Sequence, residues 1–155
     1  MITFELNQVI LRGGQRISLD LIDGVVRLVA KTVKKTKTYH VSIAFVSDAQ
    51  MRRANKEYRG NDKVTDVLSF SLGPDSGELL FSYTQAKKQA KAMNHPVKQE
   101  FCFLLVHGLL HLFGYDHERR NDAKKMFSLQ SDLLIKLRIN PTMTYDKPLS
   151  TQKKF

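Results

Sequence analysis

The sequence contains a single cysteine, Cys102, so no internal disulfide can staple the chain. That residue lies in the apolar run from Phe101 to Val106, where a reduced thiol behaves as a small buried hydrophobe, and a reducing cytoplasm is the expected location. The same run is the longest uninterrupted apolar stretch, far short of the roughly 20 residues a spanning helix requires, so a helical bilayer span is excluded. The opening MITFELNQVI lacks a charged leader followed by an apolar core and a small-residue cleavage site, and no export is expected from it. Acidic side chains are in short supply. The 15 Asp and Glu face 25 Lys and Arg, leaving a formal charge of +10 and a pI near 9.8. That balance suits a polyanionic partner such as nucleic acid, although a generally basic, well-solvated surface has the same composition.

What is present is an ordinary globular composition, with 42% apolar and 26% charged residues in a length that suits one compact domain over residues 1–155. Residues 2 to 11 alternate at Ile2, Phe4 and Leu6 before Val9, Ile10 and Leu11, which predicts a first strand. Ser18 is placed to cap a helix whose apolar stripe runs from Leu21 to Val33. Val41, Ile43 and Phe45 predict a half-buried strand from Tyr39 to Val46, and Asp48 is then placed to cap a short helix that stops at Gly60. A strand near Val67 to Phe70, a loop at GPDSGE and a neighbouring strand ELLFSY follow. A polar helix over TQAKKQAKAMN is broken at His95-Pro96, and a strongly apolar helix runs from there to Phe113 with Gly114 suited to end it. After YDHERRN a last amphipathic helix carries Met126, Phe127, Gln130, Leu133, Leu134 and Leu137, and the chain turns polar from about residue 140. Strands and helices without regular alternation and without an internal repeat predict an α+β domain: a small mixed sheet packed with helices around the central apolar one.

The chemistry lies at the end of that central helix. His107 and His111 are four residues apart, so both imidazoles project from one face about a turn apart, and two nitrogens can grip one ion. Gly114 can bend the chain back so that His117, six residues after His111, brings a third nitrogen. A lone histidine is more often an ordinary hydrogen-bonded residue, and His40 and His95 are read that way. Three histidines within eleven residues, with no cysteine among them, instead predict one zinc ion with an open coordination position, a catalytic geometry that can activate water. The pattern HxxxHxxGxxH is also that of metzincin proteases, but their glutamate base is replaced here by Gly108, which removes the group that would take the water's proton.

HGLLHLFGYDH closely resembles the signature HGxLHLxGYDH of the YbeY family of rRNA-maturation endoribonucleases. NKEYRGNDKVTDVLSFS resembles the same family's tyrosine-arginine pair followed by TDVLSF, SGELLFS its Gly-Asp strand, and Met126 to Leu134 its terminal helix. Val64 and Ser71 stand where that family usually has prolines, and Glu78 replaces an aspartate. The resemblance implies a zinc-dependent endoribonuclease that prefers single strands and acts in the maturation of small-subunit (16S) rRNA and in ribosome quality control. It implies catalytic roles for His107, His111 and His117 through the metal and for Arg59, which would position and stabilise phosphate charge. RNA of the small subunit is the expected partner, with ribosomal proteins or assembly factors possible beside it. Asp116 could orient a ligand histidine, serve as a base or merely cap its loop, and Asp66 is read as structural. The missing glutamate keeps open a non-catalytic, zinc-stabilised assembly or RNA-binding factor. A zinc peptidase would need a carboxylate from elsewhere in the fold.

Overall fold

The computed structural model describes residues 1–139; the polar stretch expected from about residue 140 lies outside the described residues. A four-stranded mixed sheet has the order β1-β2-β4-β3, built from β1 (Ile2–Asn7), β2 (Tyr39–Phe45), β3 (Val67–Gly73) and β4 (Ser76–Phe81). β1 and β2 pair in parallel, as do β2 and β4, whereas β3 and β4 form an antiparallel hairpin. The helices are α1 (Leu19–Thr32), α2 (Asp48–Arg59), α3 (Tyr83–Ala92), α4 (Val97–Leu112) and α5 (Arg120–Lys136). The α+β expectation holds, and the two strands read as neighbours pair directly.

Side-chain alternation assigns the two sheet faces different tasks. Tyr39, Val41, Ile43 and Phe45 of β2, with Leu79 and Phe81 of β4, are buried in the main core with α1 and α4. On the opposite face Leu68 and Leu80 pack beneath Met51 of α2, with Phe70 half-buried at the edge of that smaller cluster. α4 is buried from Glu100 to Leu110, so it is apolar on nearly every side rather than along a stripe. Two polar side chains inside it are matched: Glu100 Oε2 lies 3.1 Å from His95 Nε2, and His107 meets Gln130 of α5.

Three boundaries depart from the sequence expectations. β1 ends at Asn7 rather than continuing to Leu11, because the Gln8 amide clamps the chain, accepting from Ile17 N at 2.8 Å and donating to Ile17 O at 3.1 Å. Val9 is consequently left exposed. Ser47, not Asp48, caps α2 in a reciprocal box with Gln50, and Asp48 instead accepts from the Ser82 hydroxyl at the start of α3. β4 begins at Ser76, inside the stretch expected to be loop. Gly77 signals close packing there rather than a turn, since a Cβ at this position would sit 2.6 Å from Tyr39 Oη and 2.7 Å from Leu112 Cδ2.

Candidate metal centre

Helix α4 delivers His107 and His111 to one face, and the chain then reverses at Gly114, whose φ of +94° is open to glycine and strained for other residues. That reversal lets the Tyr115 carbonyl accept a hydrogen bond from His111 Nδ1 at 2.9 Å. Asp116 then accepts from the backbone N–H of His117 at 2.7 Å, so its carboxylate shapes the loop that carries the third imidazole. The ring of His117 stacks on Phe127 of α5. One ligand-capable atom from each of His107, His111 and His117 lies within 4.8 Å of the others.

The hydrogen bonds set the tautomers. His107 Nδ1 donates to Gln130 Oε1 at 2.9 Å and His111 Nδ1 donates to the Tyr115 carbonyl, so each ring turns its Nε2 inward. Those two Nε2 atoms are 3.1 Å apart. With both Nδ1 positions protonated, each neutral ring presents a lone pair to the other, an arrangement that a shared cation would relieve. Two nitrogens on one tetrahedral zinc would stand about 3.3 Å apart, given bonds of about 2.0–2.1 Å. His117 Nε2 is buried with no hydrogen-bond partner, an orphaned acceptor of the kind a metal satisfies. Burial above all holds His107 down, to about 4, and His111 still lower, with the neighbouring imidazoles adding to the effect. Two rings held neutral with Nε2 inward, and a third whose buried Nε2 lacks a partner, are what a metal requires, so the three residues fit a bound ion.

Arg59, at the end of α2, donates from Nη2 to the Ser69 carbonyl of β3 at 2.6 Å. It shares with His111 a cavity of about 280 Å³, also lined by Ser69, Phe70, Ser71 and Leu112. Its charge contributes to the depressed basicity of His111, which places the guanidinium within electrostatic reach of the imidazoles. The cavity joins four residues singled out in the sequence only indirectly: Arg59 and His111 line it, while His107 and His117 adjoin it through His111. His40 and His95 take ordinary partners elsewhere, Thr3 for the first and Glu100 for the second. Asp66 accepts from Val67 N and from the Thr65 hydroxyl, a local role.

Gly108 faces the sheet. A Cβ there would lie 2.8 Å from Leu79 Cδ2 in the core, so any side chain at the metzincin glutamate position would have to move the Leu79 side chain. Gln130 was legible in the sequence only as a member of an apolar stripe. The available signal was that it is the one amide among Met126, Leu133 and Leu134, at a position that is itself buried.

Fold and site together define an α+β protein with a three-histidine metal-type centre beside an arginine-lined cavity. The family model for endoribonuclease YbeY matches residues 12–138, and the chain belongs to that family. The Endoribonuclease YbeY of Ureaplasma urealyticum serovar 10 is 33% identical over 153 residues, covering 95% of this chain and 97% of that one. The protein of the same name from Halalkalibacterium halodurans is 40% identical over 113 residues, 63% of this chain and 71% of that one. Among solved structures, the solution structure of TM1509 from Thermotoga maritima matches with a TM-score of 0.57 at 26% identity, over 89% of this chain and 92% of that one.

Proposed function

We propose that this protein is a zinc-dependent endoribonuclease that hydrolyses phosphodiester bonds in single-stranded RNA, acting in the cytoplasm on small-subunit (16S) rRNA during its maturation and quality control. The observation that carries this reading is the convergence of three imidazoles beside a cavity that Arg59 shares with His111. The names of the relatives support the reaction class, and the three-nitrogen donor set without sulfur supports zinc as the ion. Ribosomal proteins or assembly factors would bring the protein to its RNA.

A zinc ion held by His107, His111 and His117 would supply Lewis acidity at the scissile phosphate. The chain's own residues do the rest. The Arg59 guanidinium, anchored by one nitrogen to Ser69 O, can pair with phosphate oxygens and offset the negative charge that grows on them as water adds and the leaving oxygen departs. Gln130 and the Tyr115 carbonyl hold two imidazoles in their donating orientation. The basic net charge, +10, favours association with the phosphate backbone.

One observation favours a second reading. The described residues lining the cavity are Arg59, Ser69, Phe70, Ser71, His111 and Leu112, with no carboxylate among them to serve as a general base. In that reading zinc stabilises an assembly factor that binds RNA without cutting it. The peptidase reading is disfavoured because Gly108 stands where its glutamate base would be. Cleavage by the wild-type protein separates the first two, and Arg59→Glu tests the arginine: an endoribonuclease loses cleavage while zinc content stays at the wild-type level. Loss of zinc in that variant, or full cleavage by it, would contradict the role given to Arg59.

A further inference from the structure

Tyr58 immediately precedes Arg59, and Phe70 immediately follows the Ser69 carbonyl to which Arg59 donates. The two rings stack across this junction, with centroids 4.9 Å apart and planes 19° from parallel. Phe70 is half-buried and lines the cavity it shares with His111, whereas Tyr58 is 57% exposed. An aromatic that served only to fasten α2 to the sheet would bury most of its surface. Here one ring face lies on Phe70, and the residue still keeps more than half of its surface exposed. Leu72, two residues further along β3 where the register shifts, is likewise 57% exposed. Lys56 and Arg59, both in the last turn of α2, place positive charge on either side of Tyr58 in the sequence.

We infer that the Tyr58–Phe70 stack is a platform for one unpaired nucleobase of the RNA, which binds against Tyr58 while its backbone phosphate is drawn to Arg59. The inference rests on the reading of this site as an RNA hydrolase and adds to it the device that selects single strands. A base in a duplex is covered on both faces by its neighbours, so only an unstacked base can add a third layer to this pair. Every base has a π-face, so the platform selects for strandedness without selecting strongly for sequence. Because the same two stretches of chain carry the rings and the Arg59–Ser69 contact, a base held here sets the register of its phosphate relative to the cavity. Tyr58 is thus a positioning residue.

The test compares a short oligouridylate with an abasic strand of equal length, which keeps the phosphates and removes the bases, binding to the full zinc-loaded chain. Tyr58→Ala is expected to weaken binding of oligouridylate about tenfold and to leave binding of the abasic strand unchanged, with Tyr58→Phe restoring wild-type affinity. The sequence has no tryptophan, so Tyr58→Trp provides a single reporter whose fluorescence should be quenched by oligouridylate and not by the abasic strand. Equal weakening of both strands, no weakening of either, or quenching independent of bases would overturn the platform while leaving RNA binding intact. Failure of the wild-type protein to bind either strand would overturn the platform and the RNA reading together.

Discussion

Gln130 Oε1 accepts a hydrogen bond from His107 Nδ1 over 2.9 Å, and both residues are buried. Because the acceptor belongs to α5 and the imidazole to α4, α5 fixes which nitrogen of His107 faces the metal position. Gln130→Leu preserves much of the volume but removes the acceptor, so His107 can adopt the other tautomer or rotate. Zinc affinity is expected to fall about 10- to 100-fold, measured by competition with a chelator of known affinity. An unchanged affinity in a variant with wild-type circular dichroism would show that Gln130 merely fills space.

This dependence was hidden in the sequence for a physical reason. A glutamine at helical spacing among Met126, Leu133 and Leu134 looks like a tolerated polar residue until the facing helix is known, and periodicity says nothing about which helix that is. By contrast, His107 and His111 were readable because their relation is local, set by the geometry of a single helix. The sheet showed the same divide. β2 was plain from its alternation, while the start of β4 was obscured by Gly77, whose cause is the approach of Tyr39 and Leu112 from distant parts of the chain. Arg59 likewise has no local mark of its role. Only the pairing of α2 with β3 brings it to His111.

Close packing at Gly108 predicts a stability effect opposite in sign to helix propensity. Alanine is the better helix former by about 1 kcal/mol, but its Cβ would begin 2.8 Å from Leu79 Cδ2 in the core. Overpacking of this kind costs about 1–3 kcal/mol, so Gly108→Ala should lower the urea midpoint without changing the slope of the transition. A raised midpoint would mean that Leu79 yields freely and that the glycine is not required by packing.

Burial, the main cause, raises the Cys102 thiol to about 11, with Lys98 pulling weakly in the other direction. Near pH 8 the folded thiol is therefore almost wholly protonated, and alkylation by iodoacetamide should be far slower than in the urea-unfolded chain. The linkage has a definite sign. The unfolded state releases this proton first as pH rises, so between the unfolded value near 8.5 and the folded value near 11 the cysteine's contribution to stability declines. Cys102→Ala should remove that component of the alkaline loss, read from thermal midpoints at pH 8 and pH 10. Rapid alkylation of the native protein at pH 8 would contradict the burial argument.

The most direct test of the central claim measures zinc content and cleavage of a single-stranded rRNA fragment together, in nuclease-free wild-type protein and in His111→Ala purified identically. The metal-centred hydrolase predicts that the wild-type protein carries zinc and cuts the fragment, and that His111→Ala does neither. Equal cleavage by the two proteins, or a zinc-loaded wild-type protein that binds the fragment and leaves it intact, would contradict it.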